Sequence, residues 1–139
     1  MAATFTARAT SGRPPIDEKR GIEALYATGH WLMSQDRCTD AASVFRAMAL
    51  LAPEDERSWL ALGACHEALG QTDLALQMYG TGRVLAHRSA RCDIARARVL
   101  RAAGRADDAD GAIESAAEVA ETLDDEELYA LIRAERRKP

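Results

Sequence analysis

The chain has 139 residues, of which 47% are hydrophobic and only 5% aromatic, and this composition favours one domain of closely packed helices over a β-sandwich. Its net charge of −4 argues against a protein whose main task is to grip phosphate backbones, so we expect no direct nucleic-acid partner. The sequence contains no 18-residue apolar run, no apolar signal region and no cysteine framework, so we expect a cytoplasmic protein that does not insert into a membrane.

The N-terminal segment, residues 1–15, is rich in Thr, Ser, Gly and Pro, which predicts a flexible arm. Residues 16–139 are expected to form a single domain, because small and bulky residues recur there with a period of 34. Three sets of residues recur at this spacing, and we call each set a column: Gly29, Gly63 and Ala97; Ala41, Ala75 and Ala109; and Phe45, Tyr79 and Ile113. Small residues in two columns would let paired helices lie close, and the bulky column would fill the remaining space.

The period predicts helices in pairs. We expect them at about residues 17–35 and 39–52, 55–69 and 72–86, and 90–103 and 106–121, in repeats of about 22–55, 56–89 and 90–123. Gly70 and Gly104 each follow an apolar segment, where a left-handed residue ends a helix well, and Asp36 takes that place in the first unit. A last helix at about 125–137, acidic at its start and basic at its end, should cap the stack.

The second unit shows which repeat this is. Trp59-x2-Leu62-Gly63 begins the pattern of a tetratricopeptide repeat. The predicted fold is therefore an all-α tetratricopeptide-repeat solenoid of three helical hairpins with a C-terminal capping helix. The third unit matches least well, because Asp93 and Arg96 stand where the second unit has Trp59 and Leu62. We therefore expect its first helix to be either half exposed or tilted.

The adjacent Cys65 and His66 raise the question of an active site. Neighbours on a helix point about 100° apart, so the two side chains cannot face one substrate, and His66 takes the aromatic position of the repeat. The other cysteines, Cys38 and Cys92, form no CxxC pattern, and the histidines form no HxxxH pattern. We expect no catalytic residue, no metal and no cofactor, and a small enzyme using Cys65 and His66 is the most distant hypothesis.

Repeats of this kind expose a concave face lined by the first helix of each hairpin, and that face is their usual binding surface. The predicted peptide-binding groove is lined by Tyr26, His30, Met33, Leu60, Ala64, Glu67, Ile94, Arg98 and Arg101. It is apolar in two units and basic in the third, which suits an extended apolar segment with acidic residues at one side. Two alternatives stay open: Met33 and Leu60 fit the core equally well, and Arg98 and Arg101 fit solvated surface charges.

A family resemblance follows from the second unit. Residues 62–75 read LGAC-x2-ALGQ-x-DLA, and a Y-x-x-G stretch runs from Tyr79 to Gly82. These runs resemble the class II chaperones of bacterial type III secretion, which are small tetratricopeptide proteins that escort pore-forming translocators. The likeness covers roughly residues 22–135, nearly the whole chain apart from the arm.

The resemblance implies a non-catalytic bacterial protein that binds an extended segment of hydrophobic translocators in its groove and keeps them soluble and secretion-competent. Family members also co-activate transcription with AraC-type regulators, which makes such a regulator a further implied partner. They form homodimers through a helix in a longer N-terminal region, whereas about twenty residues precede the first repeat here, which argues against a homodimer. The alternative is a generic tetratricopeptide scaffold in another bacterial complex.

Overall fold

The computed structural model describes residues 17–139, so the arm predicted at residues 1–15 lies outside the described residues. The helices are α1 Glu18–Ser34, α2 Cys38–Leu51, α3 Glu56–Ala68, α4 Thr72–Leu85, α5 Ala90–Ala102, α6 Ala106–Leu123 and α7 Glu126–Arg136. Helices α1 and α2, α3 and α4, and α5 and α6 pack as hairpins, and α7 packs on α6 and α5. The predicted all-α tetratricopeptide fold is confirmed, and every helix end lies within two residues of its predicted position.

The two helices of each hairpin begin differently. Asp17, Asp55, Ser89 and Asp125 cap α1, α3, α5 and α7 with a side-chain oxygen. The second helices have no such cap and instead follow tight turns, in which Gly70 and Gly104 adopt φ of 73° and 77° and Asp36 adopts 58°. Glycine suits this left-handed backbone because it lacks a Cβ. The turn therefore brings the second helix straight back along the first.

The small and bulky columns meet within the hairpins, as predicted. A Cβ on Gly29 would lie 2.5 Å from Cζ of Phe45, and a Cβ on Gly63 would overlap the ring of Tyr79. In the third hairpin Ala97 stands at the equivalent position and is fully buried. The first two hairpins therefore depend on glycine at this position, whereas the third accommodates a methyl group.

The core runs along the stack. One cluster joins the first hairpin to α3 and includes Phe45 and Leu62, and another joins α5, α6 and α7 and includes Leu100 and Ile132. Tyr79 belongs to a smaller cluster between them. Each hairpin buries its apolar surface against its neighbours, which is how repeat proteins obtain their stability.

The third hairpin differs from the prediction at its first helix. Asp93 is completely buried, and its carboxylate accepts hydrogen bonds from Arg83 Nε at 3.0 Å and Arg96 Nη1 at 2.9 Å. The expectation that α5 would be half exposed here is therefore wrong. Two ion pairs satisfy the buried carboxylate, so charged side chains fill the place that Trp59 and Leu62 take in the second unit.

Candidate peptide-binding groove

The first helices of the hairpins carry all the residues predicted for the groove. Helix α1 supplies Tyr26, His30 and Met33, α3 supplies Leu60, Ala64 and Glu67, and α5 supplies Ile94, Arg98 and Arg101. Side chains of α1 and α3 meet at one polar contact, and side chains of α3 and α5 meet at another. These contacts fix how three of the predicted residues are held.

The contact between α1 and α3 is centred on Arg57. Its Nη1 and Nη2 donate to the two carboxylate oxygens of Glu23 at 3.1 and 2.7 Å, and its Nε donates to Asp55 at 3.0 Å. These hydrogen bonds from Arg57 lower the pKa of Asp55. The guanidinium also stacks over the ring of Tyr26, with its carbon 4.6 Å from the ring centre. Arg57 therefore ties the first two units together and holds Tyr26 in place.

Aromatic rings form one wall of the groove on α1. The ring centres of Tyr26 and His30 lie 4.5 Å apart in an edge-to-face arrangement, and Phe45 lies 5.5 Å from His30 and 6.4 Å from Tyr26. Such edge-to-face pairs favour a fixed geometry. Phe45 is buried, Tyr26 is half-buried and His30 is exposed. The wall therefore rises from the core of the first hairpin to solvent.

The contact between α3 and α5 is centred on Glu67. Arg98 donates to both of its oxygens at 2.7 Å, and the hydroxyl of Tyr79 donates to Oε2 at 2.5 Å. Burial raises the pKa of Glu67, but the hydrogen bonds from Arg98 and Tyr79 outweigh it, so the net shift is downward. Burial together with the bond to Glu67 raises the pKa of Tyr79. The Glu67 carboxylate is thus charged, and both of its oxygens accept hydrogen bonds from side chains of this chain.

Arg101 is likewise paired within the chain. Its Nη1 donates to Glu135 of α7 at 2.9 Å and its Nη2 to Asp110 of α6 at 3.0 Å. With Arg98 bound to Glu67, both basic residues predicted in the third unit have their charge balanced by carboxylates of this chain. Arg101 is largely buried by these contacts, whereas Arg98 keeps 45% of its side chain exposed.

The apolar groove residues are partly exposed and also contribute to the core. Leu60 packs on the small cluster around Tyr79, Ile94 packs on the cluster of α5 to α7, and Met33 packs on the cluster of the first hairpin. Ala64 is half-buried on α3. Met33 and Leu60 therefore both pack against the core and both keep part of their side chain exposed.

Known proteins resemble this chain in sequence and in fold. No family model matches the chain. The low calcium response locus protein H of Yersinia pestis is 38% identical over 64 residues, a match that covers 46% of this chain and 38% of that protein. The Yersinia enterocolitica type III secretion translocator chaperone SycD superposes with a TM-score of 0.74 and 29% identity, over 85% of this chain and 87% of that chain. PcrH, solved in complex with the chaperone binding region of PopB, gives 0.72 and 28%, over 89% and 95%.

The chain resembles the translocator chaperones of type III secretion in fold and over most of its length. The matched solved structures are chaperones, and their likeness covers most of the chain rather than one repeat. The matched segment, in contrast, spans only 38% of the curated relative's length. The family resemblance drawn from the second unit is thereby confirmed.

Two polar groups near the groove were not predicted. The hydroxyl of Tyr79 reaches Glu67 from the second hairpin, and Glu135 reaches Arg101 from the capping helix. The second pair had a signal in the sequence, because Arg101 and Glu135 are 34 residues apart, as are Glu23 and Arg57. A search for opposite charges 34 residues apart would therefore have found the Glu23–Arg57 and Arg101–Glu135 ion pairs.

The Cys65 and His66 pair belongs to the packed interior of the second hairpin. Cys65 is fully buried, and burial raises the pKa of its thiol to about 11, so the reactive thiolate is scarce at neutral pH. His66 is also buried, and its Nδ1 lies 2.7 Å from Oε1 of Gln71 in the turn after α3. Within residues 17–139, no three His, Cys, Asp or Glu residues gather where they could hold a metal ion. None of the helices described there is long and apolar enough to span a bilayer.

Proposed function

We propose that this chain is a chaperone that binds an extended segment of hydrophobic type III translocator proteins in its concave groove and keeps them soluble and secretion-competent. The proposal is supported by the similarity to PcrH, which was solved with the chaperone binding region of PopB. We propose no catalytic activity. We place the function in the bacterial cytosol, because a chaperone of an exported protein must hold its client before export.

The observation that carries the proposal is the arrangement of apolar side chains in the groove. Leu60, Ala64 and Ile94 are half-buried on two neighbouring first helices, and the bonds of Arg57 to Glu23 and of Arg98 to Glu67 join those helices to their neighbours. Because these bonds already exist within the chain, little ordering is left to occur on binding. An extended segment could then bury its apolar side chains against a preformed surface.

The chemistry of the client fits this surface. A protein destined to insert into a membrane exposes apolar side chains in water, and such surfaces aggregate. Covering a short apolar segment removes it from water and gains about 25 cal/mol for each Å² buried. Because the arginines of the third unit are paired within the chain, we propose that recognition depends on the apolar positions rather than on acidic client residues.

The test is co-expression of the tagged chain with the translocators of the same genome, followed by affinity purification and size-exclusion chromatography. Ala64→Arg fills the groove without removing a core side chain, and Leu50→Arg, at an α2 position that is 85% exposed, is the matched control. We expect a soluble stoichiometric complex with the wild type and with Leu50→Arg, and its loss with Ala64→Arg.

Two results would contradict the proposal. Translocators that stay insoluble and unbound beside the wild-type chain would favour a generic tetratricopeptide scaffold. A complex that survives Ala64→Arg unchanged, in a variant with wild-type helical circular dichroism, would place the binding surface outside the groove.

A further inference from the structure

A second cleft lies between the outer helices α4 and α6, with α5 as its floor. It has two adjoining parts of about 350 and 390 Å³, and Arg83, Arg96, Leu100 and Arg105 line both of them. None of these residues belongs to the predicted groove. We call this feature the arginine cleft.

The guanidinium groups of the arginine cleft have hydrogen-bonding capacity to spare. Arg96 uses Nη1 on Asp93, and Arg83 uses Nε and Nη2 on Asp93 and Ser115. Over residues 17–139, Nε and Nη2 of Arg96 and Nη1 of Arg83 have no hydrogen-bond acceptor. The hydroxyl of Ser115 accepts from Arg83, which leaves its own proton to donate. These donors suit a negatively charged oxygen.

The charge of the arginine cleft is uneven. The part next to α6 contains Asp107 and Asp108, and Asp108 accepts from Arg105 at 3.0 Å. The part next to α4 contains the three arginines and Gln77 but no carboxylate among its lining residues. The three arginines line both parts, and Asp93 and Asp108 balance part of their charge. A ligand anion would sit on the α4 side, because no further carboxylate lines the cleft there.

The fold does not require charges at this place. One repeat earlier, Ala49 and Leu62 occupy the positions of Arg83 and Arg96, and both are buried apolar residues. Buried ion pairs are seldom more stabilising than apolar side chains of similar volume. The second unit thus shows that an apolar filling works, and the charged filling of the third unit points to a ligand.

The surface beside the arginine cleft is apolar. Val84 and Leu85 on α4 are 70% and 47% exposed, and Gly80 lies between them and the arginines, with nothing within 4 Å of the place a Cβ would take. A peptide backbone can therefore approach α4 closely. An anion that carries apolar neighbours fits this surface better than a free inorganic anion does.

We propose that the arginine cleft binds a segment of a partner protein that pairs a carboxylate side chain with apolar neighbours. The carboxylate accepts hydrogen bonds from Arg83, Arg96 and Ser115, and the apolar neighbours cover Val84 and Leu85. This site is separate from the groove and does not depend on the function proposed for the groove.

The probe is a capped hexapeptide of alternating Leu and Glu, titrated into the full-length ¹⁵N-labelled chain and followed by NMR. A matched peptide of alternating Leu and Gln tests the requirement for carboxylates. We expect the Leu-Glu peptide to shift the amide signals of Gly80, Gly111 and Ser115, with the shifts weakening as salt is added. The Leu-Gln peptide should leave those signals unchanged.

Variants of the chain locate the contact. Arg96→Gln and Arg105→Gln should each weaken binding of the Leu-Glu peptide by about tenfold, since each removes charged donors. Arg105 is exposed and pairs with exposed Asp108, so its variant is expected to fold. Arg46→Gln, which changes an exposed arginine at the first-unit position of Gly80, should bind normally.

Three results would overturn the proposal. The first is the absence of shifts in the arginine cleft, or shifts confined to groove residues such as Leu60 and Ile94. The second is wild-type affinity in folded Arg105→Gln and Arg96→Gln. The third is a response of the cleft amides to inorganic phosphate but not to the Leu-Glu peptide, which would identify a site for a small free anion.

Discussion

The second and third hairpins share a 34-residue register but fill its tightest contact differently. In the second, Gly63 lies against Tyr79 so closely that a Cβ would overlap the ring, whereas in the third the equivalent residues Ala97 and Ile113 are buried in one core cluster. The large ring thus occurs with glycine and the smaller side chain with alanine. The register is preserved by matched pairs of residues, so one member cannot change alone.

The same two hairpins also differ in the side chains with which their first helices pack against the preceding hairpin. The second uses Trp59 and buried Leu62, and the third uses Asp93 held between Arg83 and Arg96. Both arrangements leave the first helix packed. The difference shows that a consensus apolar position can be filled by a balanced set of charges when a neighbouring helix supplies the counter-ion.

The largest expected effect comes from breaking the tight pair of the second hairpin. Gly63→Ala forces a methyl group into the ring of Tyr79 and should cost about 3 kcal/mol in the free energy of unfolding. Gly63→Ala combined with Tyr79→Ile reproduces the pair of the third hairpin and should recover part of that loss. Urea unfolding followed by circular dichroism measures both. Equal stability of Gly63→Ala and wild type would refute the close contact.

A smaller loss is expected from removing the buried carboxylate of the third hairpin. Asp93→Ala leaves Arg96 without its acceptor and Arg83 with Ser115 as its remaining acceptor among the described residues. We expect a loss of about 2 kcal/mol, because both guanidinium groups also reach solvent. Asp93→Trp with Arg96→Leu installs the residues of the second unit and should unfold at a higher urea concentration than Asp93→Ala. If Asp93→Ala is as stable as wild type, the ion pairs do not support α5.

Acid should weaken the link between the second and third hairpins. The pKa of Glu67 is lowered in the folded chain, so its contribution to stability is present above the ordinary value of 4.5 and is lost as pH falls below it. The melting temperature should therefore drop between about pH 5 and about pH 3, and the drop should be smaller in Arg98→Met.

The control for this acid effect is Arg88→Met. Arg88 pairs with Glu118 at 3.4 Å, and both side chains are well exposed, so the pair should add little. Its melting curve against pH should follow the wild type. A pH profile of Arg98→Met identical to that of the wild type would show that Glu67 is not the group responsible.

The smallest expected effect is a gain in stability in the second hairpin. Gly80 lies inside α4 with open space where a Cβ would be, and the third hairpin has exposed Glu114 at the equivalent position. Gly80→Ala should therefore raise the free energy of unfolding by about 0.5 to 1 kcal/mol. A loss of stability in urea unfolding would show that this part of the arginine cleft is more crowded than its geometry indicates.

The repeat period made the fold predictable. The spacing of Gly29, Gly63 and Ala97 set the hairpins, and Gly70 and Gly104 set their turns. What the period could not reveal was the burial of Asp93. That burial depends on Arg83, which belongs to the preceding hairpin and lies off the consensus pattern, so its approach is a property of how two hairpins pack.

The groove was predictable as a set of positions and less so in its charge. First-helix periodicity selected Arg98 and Arg101. One partner of Arg101 lies one repeat period away and left a signal in the sequence, whereas Glu67 and Arg98 are 31 residues apart, off the period, so their pairing follows from three-dimensional packing. Glu67 was predicted as a groove residue, yet its role in binding Arg98 and Tyr79 was not. Which positions contact a ligand stays a prediction.

The most direct test of the central claim is methyl NMR of the chain, labelled at Leu, Ile, Val and Ala, with a translocator segment from the same genome. We predict that the segment shifts the methyl signals of Leu60, Ala64 and Ile94 and leaves those of Leu50 and Val84 unchanged. Shifts confined to Leu50 and Val84, with the groove signals unmoved, would contradict binding in the concave groove.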